Sequence, residues 1–277
     1  MVAESSSHLS PPSRNNAIFS GDAIRTSHHK PCKSPNRALV HQRSWITRPG
    51  ARKGIHMSPQ TANSSTWMTA FRNRIRRLLR SGPVYVASKE TWNSQYRRNH
   101  WDYLREMPEL AHYSVIAGYF QYLKCRGALL DVGCGEGVLQ ERLTPDSYSR
   151  YVGIDISDEA IRRASHRQDE KTDFIRADLR AYVPTMLFDA IVFCEVLYYF
   201  DDALRLLQHY QQFLKQDGVV LVSMYVSEEA NPIWRALETK FLPVDETQVS
   251  NKSGTSWICK VYSRQEETTR SRQTHKS

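Results

Sequence analysis

Residues 129–137, with the sequence Leu-Leu-Asp-Val-Gly-Cys-Gly-Glu-Gly, constrain the fold more than any other stretch of the chain. A short apolar run passes into an acidic residue and three alternate glycines, which predicts a buried strand that ends in a tight turn. Residues 138–143 have the apolar spacing of a helix. A strand, a glycine turn and a helix together present main-chain N–H groups to a nucleotide-like ligand. The stretch therefore predicts a ligand site.

Further apolar segments follow at the intervals of an alternating strand and helix pattern, at residues 151–155, 173–177, 188–194 and 218–224. The third of them is an apolar run typical of a strand that is buried on both faces. Between the last two segments, Asp201 or Asp202 is expected to cap a helix with an inward side formed by Leu204, Leu207, Tyr210 and Leu214. This alternation predicts an α/β fold with a doubly wound, mostly parallel sheet.

Acidic residues stand at or just beyond the ends of these predicted strands, namely Asp131, Asp155, Asp178 and Glu195. Ligands of an open parallel sheet bind beyond the carboxyl ends of its strands, so these side chains are expected to surround one site. Asp155 follows the glycines by about 20 residues, a spacing at which a carboxylate accepts hydrogen bonds from the hydroxyls of a bound ribose. A ligand that contains adenosine is therefore predicted.

The ordered motif series resembles that of class I S-adenosylmethionine-dependent methyltransferases, through residues 129–137, 153–157, 177–179 and 188–200. The resemblance spans about residues 92–262. It implies a Rossmann-like, seven-stranded, mostly parallel sheet, with a sixth strand somewhere in residues 227–254 and a final antiparallel strand at residues 256–262. Residues 195–199 are more narrowly similar to small-molecule N-methyltransferases of the nodulation-factor type.

The resemblance also implies S-adenosylmethionine as the cofactor. In such enzymes the glycine turn passes beside the methionyl part, and Asp131 anchors the amino group directly or through water. Asp155 holds the ribose, and Asp178 with Leu179 flanks the adenine. The complete predicted cofactor set is Asp131, Gly133, Cys134, Gly135, Gly137, Asp155, Ile156, Asp178, Leu179 and Cys194. No metal ion is expected in this site.

The implied reaction needs alignment more than acid–base chemistry, because the cofactor already carries an activated methyl group. An amine or hydroxyl acceptor must nevertheless lose a proton. Glu195 is the candidate that orients or deprotonates the acceptor, with Tyr199 as a second catalytic candidate. Alternatively, Glu195 caps a helix or contacts the cofactor. Candidate acceptor contacts are Trp92, Tyr96 and Trp101, each with a core position as the alternative, and Tyr198 as a polar or aromatic wall of the site.

Rival functions are tested by the same residues. A nicotinamide dehydrogenase would have the turn G-x-G-x-x-G, and its Tyr-x-x-x-Lys motif occurs here only at residues 85–89, upstream of the first strand. Methylation of a nucleic-acid base would favour a Pro-Pro-Tyr-type or Pro-Cys loop after the fourth strand, and residues 194–197 have neither. RNA or protein methylation through the basic N-terminal arm stays open, and so does a non-catalytic S-adenosylmethionine-binding scaffold.

The charge divides the chain, because residues 1–89 carry a net charge of +13 and the remainder carries −4. Residues 1–66 are predicted to be a disordered basic arm, either a plain tail, a transit peptide or a gene-model extension. Residues 67–83 are predicted to form a basic amphipathic helix and linker. A methyltransferase domain is expected at residues 84–263, with an N-terminal helical lid at 84–127, and a disordered tail at 264–277.

Composition bounds the partners and the location. The chain has no apolar run long enough to cross a bilayer, and its five cysteines contain no C-x-x-C pair. These features favour a cytoplasmic protein, with organelle targeting by the arm as the alternative. The expected partner is a small-molecule acceptor rather than nucleic acid, and the expected assembly is a monomer or a homodimer.

Overall fold

The computed structural model describes residues 88–228 and 230–264. The predicted basic arm, the predicted amphipathic helix at residues 67–83 and the tail from residue 265 onward lie outside the described residues. Within the described part, no helix has both the length and the apolar character that crossing a bilayer requires.

Seven strands form one sheet in the order β3-β2-β1-β4-β5-β7-β6. Neighbouring strands among the first five in this order run parallel, whereas β7 is antiparallel to both β5 and β6. The predicted doubly wound, mostly parallel, seven-stranded sheet is therefore confirmed. The strands are β1 Gly127–Val132, β2 Tyr148–Asp155, β3 Thr172–Arg176, β4 Phe188–Cys194, β5 Leu214–Tyr225, β6 Leu242–Ser250 and β7 Ser256–Ser263.

Five α-helices accompany the strands in the described residues. Asp202 is the N-cap of α4, where its side chain accepts a hydrogen bond from the N–H of Arg205, as one of the two predicted caps requires. The helices are α1 Lys89–Arg97, α2 Leu110–Leu123, α3 Asp158–Ala164, α4 Ala203–Gln211 and α5 Ala230–Glu238.

Alternate side chains of each strand enter different core layers, which is why the sheet is apolar on both faces. Leu130 packs in one cluster with residues of α4 and α5, including Leu207 and Trp234. Leu129 packs in the other cluster with Ile116 and Phe120 of α2. Helix α2 thus packs on the sheet.

Two predictions about helices are corrected. Residues 138–143 form turns and a short 3-10 helix, Gln140–Arg142, rather than an α-helix. Hydrogen bonds from Arg142 N–H to the Leu139 carbonyl and from Leu143 N–H to the Gln140 carbonyl close the tighter turns. In α4, Leu204 is only half-buried and Leu214 already begins β5, so the inward side is formed by Ala203, Leu206, Leu207 and Tyr210.

The buried imidazole of His112 predicts a stability that depends on pH. His112 is fully buried on α2 between the rings of Tyr113 and Trp257, and this burial lowers its pKa to about 3. Below about pH 6.5, the His112 side chain therefore binds a proton in the unfolded chain but not in the folded chain. The stability contributed by neutral His112 is complete above about pH 6.5 and is lost as the pH falls. Between about pH 7.5 and about pH 5, this loss is about 2 kcal/mol.

His112→Phe removes the proton site and keeps an aromatic ring. We expect the fall in unfolding free energy between these pH values to be smaller by about 2 kcal/mol in the variant, because other titrating groups are common to both proteins. Urea unfolding at the two pH values measures the difference. An identical pH dependence in both proteins would contradict the account of His112.

Candidate active site

A cavity opens at the carboxyl ends of the parallel strands, beneath the chain that precedes β1. This is the edge at which ligands of a doubly wound sheet bind. The cavity brings together most of the predicted site residues: Trp92, Tyr96, Trp101, Gly133, Cys134, Gly135, Asp155, Ile156, Asp178, Leu179, Cys194, Glu195, Tyr198 and Tyr199. Asp131 and Gly137 do not line it in this structure.

The glycine turn after β1 forms the floor of the cavity. Gly133 and Gly135 have φ angles of +80° and +53°, in the left-handed region that favours glycine. A Cβ on Gly133 would lie 2.5 Å from Cγ2 of Val196, and one on Gly135 would lie 2.7 Å from the hydroxyl of Tyr96. The turn is therefore closed to larger residues, and the glycines let the loop after β4 and helix α1 approach the main chain.

Asp155 ends β2 with its carboxylate held in place by the main chain. The N–H of Gly135 donates to Oδ2 at 3.0 Å, and the N–H of Ser157 donates to Oδ1 at 2.8 Å. Burial raises the pKa of Asp155 to about 6, while these hydrogen bonds oppose that rise. The carboxylate is thus fixed relative to the glycine turn, and it lines the cavity between the turn and Ile156.

Asp131 and Gly137 lie behind the wall of the cavity. The carboxylate of Asp131 accepts a hydrogen bond of 2.5 Å from the hydroxyl of Tyr151, and burial raises its pKa to about 7. A Cβ on Gly137 would lie 2.9 Å from the ring of Phe174 and 2.7 Å from Arg167. Both residues therefore support the glycine turn from behind, and their predicted contact with the cofactor stays a prediction.

Glu195 follows β4 with a φ of +58°, an uncommon conformation for a residue with a side chain. Its N–H donates to the carbonyl of Ser223 at 2.9 Å, which ties the turn to β5. The Ser223 hydroxyl donates to Oε1 at 2.7 Å, and the Tyr225 N–H and the Tyr198 hydroxyl each donate to Oε2 at 3.1 Å. A strained backbone with a fully oriented carboxylate at a cavity is an observation that points to function.

Aromatic rings from two distant parts of the chain meet above the cavity. The ring of Trp92 on α1 meets that of Tyr199 edge-on, with centroids 4.8 Å apart. Trp92 also lies 5.6 Å from Trp101, and Tyr198 lies 4.6 Å from Tyr199. Burial raises the pKa of Tyr96, Tyr198 and Tyr199, so these phenols keep their protons. The site is therefore walled by neutral aromatic groups.

The segment over the cavity, residues 89–109, is tied down by a buried ionic network that sequence reasoning missed. Glu136 of the glycine turn is 5% exposed and pairs with Arg105 of this segment and, at 2.9 Å, with Arg163 of α3. Asn93 of α1 accepts a 2.7 Å hydrogen bond from the hydroxyl of Ser157, the N-cap of α3. No local pattern signals contacts between residues so far apart in the sequence.

Other residues of the cavity wall also escaped sequence reasoning: Tyr103, Leu104, Glu109, Tyr113, Glu136, Val138, Arg180, Val196 and Phe200. Three of them carry a carboxyl or guanidinium group. Glu109 and Glu136 are buried, and Arg180 stacks on the ring of Phe200 at 4.7 Å and pairs with Asp201 at 3.1 Å. Tyr113 repeats with Ala117 and Phe120 at helical spacing, and this spacing is the sequence signal that could have found it on the inward side of α2.

The chemistry of the wall fits an adenosine-containing cofactor. Asp155 supplies a fixed carboxylate for vicinal hydroxyls, and Ile156 with Leu179 supplies apolar surface for a base. Gly133 and Gly135 line the cavity with main chain, beside the side chains of Val196 and Tyr96. The residues present therefore suit such a group.

A match to one known family of domains shows the family to which this chain belongs. Residues 86–257 match the methyltransferase domain. The chain belongs to this methyltransferase family. The match and the sheet order confirm the predicted resemblance to class I S-adenosylmethionine-dependent methyltransferases.

Curated relatives cover only part of this chain. Nodulation protein S of Sinorhizobium fredii is 41% identical over 75 residues, which are 26% of this chain and 34% of that protein. Nodulation protein S of Azorhizobium caulinodans is 35% identical over 101 residues, which are 33% of this chain and 46% of that protein. The chain thus spans about a third to a half of the length of these two relatives.

A solved structure supports the fold over a longer span. The N-methyltransferase NodS from Bradyrhizobium japonicum, in complex with S-adenosyl-L-homocysteine, superposes with a TM-score of 0.53 at 18% identity. The superposition covers 63% of this chain and 99% of the NodS chain. At this identity the similarity establishes the fold alone.

Proposed function

We propose that this protein transfers the methyl group of its cofactor, S-adenosylmethionine, to a nitrogen of a small-molecule acceptor, with oxygen as the less favoured nucleophile. The observation that carries the proposal is one cavity that combines the Asp155 and glycine-turn site with the oriented carboxylate and phenols of Glu195, Tyr198 and Tyr199. A role in the biosynthesis of specialised metabolites is part of the proposal, in keeping with the partial relationship to nodulation protein S.

On the cofactor side, each residue has a positioning role. Asp155 would hold the ribose, Ile156 and Leu179 would enclose the adenine, and Asp178 would hydrogen-bond at its edge. Gly133 and Gly135 would let the methionyl part lie against the main chain, with Cys134 and Cys194 beside it. When bound, the cofactor would supply a methyl group on a positively charged sulfonium, and the sulfur would become a neutral thioether when the methyl group is transferred. The carboxylates belong at the ribose and the amino group, because a carboxylate at the sulfur would stabilise the ground state more than the transition state.

On the acceptor side, the aromatic wall and the segment above it exclude water and fix the nucleophile. Alignment of this kind contributes roughly 7 to 11 kcal/mol of the barrier reduction in an in-line displacement. The wall is built from Trp92, Tyr96, Trp101, Tyr198 and Tyr199. Closure by residues 89–109 favours an acceptor that enters the cavity as a small molecule or as the thin end of a larger one.

A screen of matched amines and alcohols tests the choice of nucleophile. The full-length protein and S-adenosylmethionine are incubated with phenethylamine and 2-phenylethanol, tryptamine and tryptophol, and octylamine and 1-octanol, and the products are identified by mass. We expect methyl transfer to the amines to exceed transfer to the paired alcohols by at least about tenfold, because a neutral amine is the better nucleophile and needs no base to attack.

Methyl transfer to the alcohols and to none of the amines would contradict the preference for nitrogen. Salt-sensitive binding of RNA by the full chain, together with methylation of RNA and none of the amines, would favour the nucleic-acid alternative instead.

A further inference from the structure

Hydrogen-bond donors surround the carboxylate of Glu195. Ser223 donates its hydroxyl to Oε1, and Tyr225 donates its main-chain N–H to Oε2. Tyr198 donates its hydroxyl to the same Oε2. These contacts fix the orientation of the carboxylate and occupy both of its oxygens as hydrogen-bond acceptors.

The same contacts settle the polarity of the Tyr198 hydroxyl. A carboxylate is an acceptor only, so the proton of Tyr198 lies on the side of Glu195, in a charge-assisted hydrogen bond. The phenolic oxygen has two lone pairs, of which one faces the neighbouring hydroxyl of Tyr199 and the other remains for a further donor. Because Tyr198 lines the cavity, this oxygen offers an acceptor to a ligand that enters there. The neighbouring Tyr199 is the ring against which such a ligand would lie.

We propose, on the basis of the N-methylation proposed above, that Tyr198 Oη accepts an N–H hydrogen bond from a neutral primary or secondary amine. Glu195 is then a positioning residue that fixes the polarity of Tyr198. Because Tyr198 holds one N–H of the acceptor, the single lone pair of the nitrogen has a restricted direction, toward the methyl group to be transferred. Orientation of this kind is the main contribution that a protein makes to an in-line displacement.

The proposed methyl transfer accounts for every electron pair and proton without a base from the protein. The lone pair of the neutral amine forms the N–C bond as the C–S bond breaks, and the electron pair of the C–S bond goes to sulfur. The nitrogen then carries the positive charge, and its proton leaves to water. A tertiary amine has no N–H to donate to Tyr198. The substrate class is therefore a primary or secondary amine, and methylation stops at the tertiary amine.

Glu195→Gln separates positioning from proton transfer. A glutamine side chain can place its carbonyl oxygen where Oε2 lies, accepting from Tyr225 N–H and from Tyr198, while its amide donates to a rotated Ser223 hydroxyl. We expect the turnover of the variant to stay within about tenfold of the wild type, with an unchanged affinity for S-adenosylmethionine and an unchanged acid limb of the pH profile. Loss of a general base would instead cost roughly 100- to 10,000-fold.

Three matched variants complete the design. Glu195→Ala, which removes the acceptor of the Tyr198 proton, should lower turnover about 100-fold at an unchanged cofactor affinity, and Tyr198→Phe should do the same. Ser223→Ala removes one donor to Glu195 and leaves those from Tyr225 and Tyr198, so it should lower turnover by less than Glu195→Ala does. Combined with Glu195→Gln, it should cost more than the two single changes together, because the glutamine amide then lacks its acceptor.

The product series tests the substrate class directly. The best amine of the screen is supplied with its N-methyl and N,N-dimethyl derivatives, and we expect the first two to be methylated and the third to be left unchanged. A quaternary ammonium product, or a Glu195→Gln variant that binds the cofactor but has lost at least about 100-fold in turnover, would overturn this inference while leaving N-methylation standing. A wild type that methylates none of the amines overturns the proposed function first, and this inference with it.

Discussion

Replacing Asp155 with alanine lowers the affinity for S-adenosylmethionine by at least about 100-fold. The main chain holds the Asp155 carboxylate by both oxygens, through the N–H groups of Gly135 and Ser157. Two charge-assisted hydrogen bonds to a ribose are worth about 1.5 to 3 kcal/mol each, and every 1.4 kcal/mol is about a tenfold change in affinity. Calorimetric titration of the full-length variant measures the loss.

The matched control is Asp173→Ala, which removes a carboxylate from the neighbouring strand β3. Asp173 pairs with Arg150 and does not line the cavity, so its loss should leave cofactor affinity within about twofold. Thermal unfolding of both variants shows whether the fold is retained. Equal cofactor affinity of Asp155→Ala and the wild type would refute the ribose assignment.

Replacing Gly133 with alanine is the most destabilising single change that we expect in the glycine turn. Gly133 has a φ of +80°, and an added Cβ would lie 2.5 Å from Cγ2 of Val196, the residue after Glu195. The left-handed conformation costs about 1 to 2 kcal/mol for alanine, and the displaced packing costs about 1 to 3 kcal/mol more. We expect the unfolding temperature to fall by roughly 5 to 15 °C.

Gly118→Ala is the control, with an expected change in stability of the opposite sign. Gly118 lies inside α2, and a Cβ there would have no heavy atom within 4 Å. The same chemical change should therefore stabilise the protein by about 0.5 to 1 kcal/mol, because alanine loses less backbone entropy in a helix. If the two alanine variants unfolded at the same temperature, the account of the turn would be wrong.

The parts of the fold that the sequence predicts are those with a local cause. Strand β4, Phe188–Cys194, has the predicted bounds because a strand buried on both faces must be apolar along its length. Strand β6 had no predictable position because it is an edge strand that is exposed at most positions, so it shows no alternation. The turns at residues 138–143 have helical spacing, but tertiary packing leaves only a 3-10 helix there.

In the candidate site, too, features with a local cause in the sequence were predictable and features set by tertiary contacts were not. Asp155 and Glu195 were predictable because the ends of parallel strands meet at one edge of the sheet. The pairing of Glu136 with Arg105 was not predictable, since it joins residues that only the finished fold brings together. The left-handed backbone of Glu195 was not predictable either, and the hydrogen bonds that orient its carboxylate come from Ser223 and Tyr225 of the next strand.

Calorimetric titration of the full-length wild type with S-adenosylmethionine, and separately with NADH, tests the central claim most directly. The G-x-G-x-G spacing of the glycine turn and the match to the methyltransferase domain predict one S-adenosylmethionine site per chain and no measurable heat with NADH. Heat with NADH and none with S-adenosylmethionine would contradict the account of the site.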